Sequence, residues 1–172
     1  APVGQMVGVD GSDVSEAVRA EVLSTLVAGT LANDGDLREN NGKWEIVGDP
    51  TEVSLIVAAR KTKADKATER FTRVAEVPFT SERKRMSIIA KDNTEGGNLT
   101  VFAKGAPDVL LSFCSRIAVG NQVRPLTDGD RQGILADVER LSGEAYRTLG
   151  EAYRPLETAS LAAVPGIRAN AA

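Results

Sequence analysis

The stretch of residues 71–103 constrains the fold most, because it is the clearest β region of the chain. Residues 71–79 have strand composition, and Pro78 among them marks an edge or a strand end, since proline cannot donate to a ladder. Residues 86–91 and 99–103 form two further runs. They are joined by Asp92-Asn93-Thr94-Glu95-Gly96-Gly97-Asn98, a hairpin with a long glycine-rich loop. Helical patterns flank this region. Residues 6–9 read as a short strand turned by Gly11 and Ser12. Asp13 and Glu16 then have capping-box spacing ahead of Val14, Val18, Val22 and Leu26, which predicts a helix to about Leu31. Residues 33–42 read as a polar loop and residues 44–47 as a strand. After the turn at Gly48 a second helix is expected, with Asp49 as N-cap, Pro50 as first helical residue and Glu52 as the reciprocal capping carboxylate. It runs through Leu55, Ile56 and Ala59 into Arg60, Lys61, Lys63 and Lys66, a basic end that suits the helix dipole.

Beyond the hairpin, Lys104-Gly105-Ala106-Pro107 leaves the strand and opens a short helix carrying Val109, Leu110 and Phe113. Residues 119–124 suggest another hairpin edge. Thr127 caps a helix through Ile134, Leu135, Val138 and Leu141, and residues 146–154 read as a final strand. Hairpin-linked strands interrupted by helices predict an α+β fold, a twisted antiparallel sheet flanked by helices. The missing βαβ rhythm argues against a doubly wound parallel sheet.

The amino-acid inventory narrows the chemistry. The 172 residues suit about one domain, and a net charge of −3 lacks the basic footprint of a nucleic-acid binder. No apolar run approaches the roughly 20 residues of a membrane span, and no signal peptide is read at the start. Cys114 is the only cysteine and there is no histidine, which removes Ser-His-Asp and Cys-His arrangements and the commonest metal ligand. No Walker loop and no Gly-x-Gly-x-x-Gly occurs. The Asp34-Gly35-Asp36 and Asp128-Gly129-Asp130 tripeptides read as turn chemistry and helix capping.

Four segments stand out together: Gly48-Asp49-Pro50-Thr51-Glu52, residues 77–87 with Phe79 followed by Arg83-Lys84-Arg85-Met86, Phe102-Ala103-Lys104-Gly105-Ala106-Pro107, and Tyr146-Arg147-Thr148-Leu149. Each alone has a plain structural explanation as a cap, a strand end, a turn or a solvated charge. An aromatic beside cations also suits a base platform next to phosphate-binding groups.

In this order and at these separations the segments resemble the nucleotide-binding domain of P-type cation-transporting ATPases, in the calcium- and sodium-pump-like branch. The resemblance runs from about Leu31 to Arg154. It implies that Phe79 stacks on adenine, that Lys104 lines the same pocket, and that Gly105 allows close backbone approach. It further implies that Glu52 hydrogen-bonds the base edge beside Thr51, that Lys84 and Arg147 meet the phosphates, and that Met86 and Leu149 pad the pocket. The sequence departs at two places. Ser81 stands where calcium-pump relatives often have arginine, leaving Arg83 or Arg85 to compensate. Glu151 stands where an apolar residue is usual, pointing to an exposed or locally irregular strand.

The family's Asp-Lys-Thr-Gly-Thr phosphorylation segment does not occur, nor do transport helices or the actuator's Thr-Gly-Glu. The expectation is a nucleotide-binding domain at residues 1–154 with a frayed or truncated tail at 155–172, excised from a larger pump on the cytoplasmic side of a membrane. It would bind ATP, with Mg²⁺ carried by the nucleotide, at a Kd of roughly 0.1–1 mM. It would hold no catalytic residue or metal ligand of its own and would not turn ATP over alone. Its partners would be the parent's phosphorylation and actuator domains, and the isolated domain would be a monomer. The alternative, from another class, is a noncatalytic interaction or regulatory domain that keeps the fold without the pocket. A self-contained phosphohydrolase would need a nucleophile or metal centre that the sequence does not offer.

Overall fold

A computed structural model describes residues 2–94 and 96–156, together with the backbone of Arg168–Ala169. The tail reading for residues 155–172 falls mostly outside the described residues. The elements run α1 (Glu16–Leu31), β1 (Asp36–Asn40), β2 (Lys43–Val47), α2 (Pro50–Thr62), α3 (Asp65–Thr68), β3 (Phe71–Thr80), β4 (Arg85–Asp92), β5 (Leu99–Gly105), α4 (Pro107–Phe113), β6 (Arg116–Val119), β7 (Gln122–Pro125), α5 (Asp128–Gly143), β8 (Gly150–Leu156) and β9 (Arg168–Ala169). The central sheet has the order β8-β5-β4-β3-β9, every pairing is antiparallel, and β1-β2 and β6-β7 form separate hairpins. The expected α+β architecture is present.

The sheet forms because β4 and β5 are the apolar runs and pair without a slip, from Arg85 opposite Gly105 to Lys91 opposite Leu99. One face of that pair carries Met86, Ile88, Ala90 and Phe102, and α1 covers it with Ala28 and Ala32. The small residues on α1 let the helix lie close to the sheet, while Phe71 meets Phe102 edge to face at 5.4 Å. On its other side α1 packs against α2 through Leu26 and Ala59, closed by Ala64 beyond the α2 C-terminus. Lys63 takes the left-handed conformation (φ 63°) that ends α2.

Several sequence expectations are corrected. Residues 6–9 form no strand. Gly8 N–H donates to the Ser12 carbonyl at 2.7 Å in a turn, and Val7 and Val9 are exposed with no strand beside them. The α1 N-cap is Ser15, whose hydroxyl accepts from the Val18 N–H at 3.3 Å, so Asp13 lies outside the helix. Residues 36–40 are strand β1 rather than loop. Asn41 (φ 52°) and Gly42 (φ 75°) make the tight two-residue turn to β2, a geometry that Asn-Gly favours. Asp49 does cap α2, accepting from Thr51 N–H at 2.7 Å, but Glu52 does not reciprocate. Residues 146–149 precede β8 instead of belonging to it.

Both Asp-Gly-Asp tripeptides have structural roles. Asp34 accepts from Arg73 at 3.0 Å ahead of β1. Asp130 completes a capping box with Thr127 and is gripped by Arg124 at 2.6 and 2.7 Å, which holds its carboxyl well below the usual carboxylate range.

Candidate functional site

The sheet's register assembles the site. At the end of the sheet nearest the β3–β4 turn, Glu151 on β8 stands opposite Lys104 on β5, and Lys104 stands opposite Met86 on β4. On the far side of Met86, β3 shifts register: Val77 pairs with Ser87 and Thr80 with Arg85. Pro78 and Phe79 therefore oppose Met86 together, two residues against one, which is a β-bulge. A bulge re-aims side chains at a strand end, and Phe79 is 59% exposed here although it is a large aromatic. Pro78 lies beyond the short pairing of β3 with β9 at Ala75 and Glu76, so its missing N–H disrupts no ladder bond there. Arg83 secures the bulge by donating to the Pro78 carbonyl at 3.0 Å.

Helix α2 delivers the counterpart to this row. Its cap at Asp49 places Glu52 in the first turn, and Glu52 Oε1 accepts from Lys104 Nζ at 2.8 Å. Lys104 is 5% exposed and the Glu52 side chain 21%, so the pair is largely desolvated. Such a pair is weak evidence for stability, because desolvating both ions costs about as much as their attraction returns. Beside it, Arg147 donates to the Thr51 hydroxyl at 2.6 Å, tying the segment before β8 to the same helix turn. Asn33 fixes that turn from below, donating to the Glu52 carbonyl at 2.9 Å.

Gly105 has a structural reason stronger than ligand access. A side-chain carbon there would lie 2.6 Å from Arg85 Cβ and 2.8 Å from Arg85 Cα, and closer still to the Lys84 carbonyl oxygen. The β3–β4 turn thus packs directly on Gly105. Lys84 sits in that turn at φ 51°, with an exposed side chain and a carbonyl that accepts from Ala106 N–H at 3.0 Å. Leu149 is half-exposed, just before Gly150 pairs with Gly105. Of the nine residues singled out from sequence, Thr51 and Arg147 touch, Glu52 and Lys104 touch, and Met86 and Phe79 share the row. Lys84, Gly105 and Leu149 lie at the same end of the sheet.

Arg83 and Arg85, the two candidates to compensate for Ser81, both have partners within the chain. Arg83 holds the bulge carbonyl and Arg85 lies over the Phe113 ring at 4.2 Å. Glu151 corrects a second expectation. Strand β8 pairs with β5 without irregularity, and both Glu151 carboxylate oxygens are sealed from solvent with no hydrogen-bond partner among the described residues. Burial pushes this carboxyl up to about 8, with the Lys104 charge opposing the rise. Register position was the signal that could have placed it beside Lys104, once β5 and β8 were known to pair.

A cavity of about 810 Å³ lies elsewhere, lined by Phe71, Leu99, Thr100, Tyr153 and Leu156 among others. Thr100 is four residues from Lys104 along β5, about 13 Å away at strand rise. The charged groups there, Arg70 and Asp92, pair with each other at 3.1 Å. The convergence of Glu52, Lys104, Arg147 and an exposed aromatic makes the sheet end the better candidate.

Comparisons with known proteins point to one family. The sequence profile described as P-type ATPase, cytoplasmic domain N, matches residues 21–170. The chain is 35% identical over 147 residues to calcium-transporting ATPase 1 of Lactococcus lactis, covering 84% of this chain and 16% of that protein. It is 32% identical over 152 residues to the probable cation-transporting ATPase F of Mycobacterium tuberculosis, covering 87% of this chain and 16% of that one. A plasma membrane-type calcium-transporting ATPase 4 of Arabidopsis thaliana is 31% identical over 150 residues, 84% of this chain and 14% of the relative. The chain thus spans 14–16% of the length of these relatives. Among the described residues, no helix is long and apolar enough to cross a membrane.

Proposed function

This chain belongs to the family of P-type ATPase cytoplasmic N domains, and from that membership we propose that it binds ATP at the sheet end formed by Phe79, Met86, Lys104 and Glu52. The observation that carries the reading is the desolvated Lys104–Glu52 pair in line with an exposed aromatic on a bulge. The pair offers polar partners and the exposed ring a π face at the same end of the sheet, a combination that suits a flat, polar-edged ligand.

The residues present fit an adenine nucleotide. Phe79 offers a π face to the base, worth roughly 1–3 kcal/mol. Glu52, flanked by Thr51, offers an acceptor to the base edge, and Lys104 lines the same pocket. Met86 and Leu149 supply apolar walls. Lys84 and Arg147 supply cations for the phosphates, and Mg²⁺ would arrive with the nucleotide. When bound, ATP supplies a γ-phosphoryl group. What this chain contributes is orientation, since no nucleophile of its own is assigned. The acceptor would be an aspartate of a separate phosphorylation domain in a parent pump, reached by hinge closure on the cytoplasmic side of the membrane. The phosphorylation and actuator domains would be its partners, and cation transport the parent's activity. Residues 1–154 would hold the proposed site, with the end of β8 and strand β9 completing the sheet beyond them.

Titration of Mg-ATP into the chain by calorimetry or NMR, beside folded Phe79→Ala and Lys104→Ala variants, tests the reading. Saturable binding at roughly 0.1–1 mM that both variants lose is the expected result. No binding by the folded chain at about 10 mM ATP would overturn it, because even a site of −4 kcal/mol saturates there, and would leave the fold as a noncatalytic interaction domain.

A further inference from the structure

Glu151, with both carboxylate oxygens sealed from solvent, is a titratable group that the nucleotide reading leaves unused. It faces Lys104 across the β5–β8 ladder, and α1 covers it so closely that a side-chain carbon at Gly29 would stand 3.0 Å from its Oε1. The same carbon would stand 3.1 Å from Leu55 of α2. Among the described residues the charged groups around it are few. From β5 comes Lys104, with Glu52 of α2 behind it at 2.8 Å. From α1 comes only Gly29, since Glu16, Arg19 and Glu21 lie in the first two turns of that helix. Helix α4 meets the neighbouring Gly150 through Pro107 and Leu110, and its Asp108 is exposed. One ammonium therefore has two carboxyl neighbours, of which only Glu52 is in contact.

We propose that Glu151 is a proton-dependent positioning residue for Lys104: uncharged, it leaves the ammonium to Glu52 and the pocket, and ionised, it draws the ammonium back toward β8 and weakens the hold on a nucleoside triphosphate. The ligand half of this inference rests on the nucleotide reading; the effect on Lys104 rests on the ladder geometry alone. With its carboxyl pushed up to about 8 by burial, Glu151 changes charge across the pH 7–9 interval. A second carboxylate beside one ammonium also adds repulsion toward a polyanionic ligand, a charge effect that grows in a water-poor site.

The decisive experiment follows the Glu151 carboxyl carbon and the Lys104 side-chain signals by NMR from pH 6.5 to 9.5. It is run on the chain and on its E151Q, E151L and E151D variants, with Mg-ATP titrations at pH 7 and 9. In the chain as it stands, the Lys104 signals move with the same midpoint as the Glu151 carboxyl, and ATP affinity falls about 3- to 10-fold between the two pH values. In E151Q and E151L both changes disappear. E151D, which keeps the carboxyl, restores a pH-dependent fall. A Glu151 titration that leaves Lys104 unmoved overturns the inference, as does an equal fall in affinity in E151Q or E151L. Lys104 signals that follow the Glu151 titration with no ATP binding at either pH support the positioning of Lys104 while overturning the nucleotide reading, so the two failures are distinct.

Discussion

Lys104 Nζ lies 2.8 Å from Glu52 Oε1, and this contact joins the end of the sheet to the first turn of α2 across 52 residues of sequence. Lys104 is the most buried cation among the described residues, enclosed between Met86 on one strand and Glu151 on the next. Removing one partner leaves the other charge desolvated and uncompensated, which costs more than the intact pair contributes. Lys104→Ala is therefore expected to destabilise the fold by about 2–4 kcal/mol, below the fully buried range because Glu52 retains some exposure. The double variant Lys104→Met, Glu52→Gln should recover part of that loss. Urea denaturation of Lys104→Met, Glu52→Gln and the double variant gives the coupling energy directly, and a coupling near zero would show that the contact is incidental.

Phe79 separates binding from stability. Its ring is largely in solvent at the bulge, so Phe79→Ala should change folding stability by less than about 0.5–1 kcal/mol. The same substitution should weaken ATP binding by about 1–3 kcal/mol, the range for one stacked base. A large drop in melting temperature would instead assign Phe79 to the core and remove the platform from the proposed site.

Gly105 is required by the packing of the β3–β4 turn. A methyl group there would meet Arg85 backbone and side-chain atoms at 2.8 and 2.6 Å, as well as the Lys84 carbonyl, and backbone does not yield cheaply. Gly105→Ala should cost about 2–3 kcal/mol by overpacking. It should also displace Lys84, whose carbonyl accepts from Ala106 N–H, and so weaken ATP binding in a protein that still folds. An Ala variant with unchanged urea midpoint would contradict this packing account.

How much of this was legible in the sequence depends on the range of the signal. Local chemistry was readable: Asp49-Pro50 opening α2, Thr127 capping α5, and the apolar runs of β4 and β5 each follow from neighbouring residues. Strand β1 was missed because Asp36–Asn40 is polar, and only the Asn41-Gly42 turn marked it. Residues 6–9 failed in the opposite sense, having strand composition but nothing to pair with. Family likeness had grouped Glu52 with Lys104, but the 2.8 Å ion pair between them is a tertiary contact that local spacing cannot give. The place of Glu151 was obscured because a carboxylate in a strand reads as exposed, whereas its register partner and the overlying Gly29 decide its burial.

The pH dependence of stability follows from Glu151 with a definite sign. Its carboxyl has the usual value of 4.5 when the chain is unfolded and about 8 when folded, raised first by burial and partly offset by Lys104. Below about pH 4.5 both states are protonated, and the group makes no demand on folding. Between 4.5 and 8 the unfolded chain releases the proton while the folded chain keeps it, so stability falls by up to about 1.4 kcal/mol per pH unit. Above 8 both states are ionised and the loss levels off, at about 3–5 kcal/mol at most. Other groups titrate over the same range, so the informative quantity is the difference between the chain and Glu151→Gln. That difference should be small at pH 4.5, grow steadily in favour of the variant, and flatten beyond pH 8. Urea unfolding of both proteins at half-unit pH steps checks it, and a difference that stayed constant from pH 4.5 to 9 would mean that Glu151 ionises in the folded chain as it does in water.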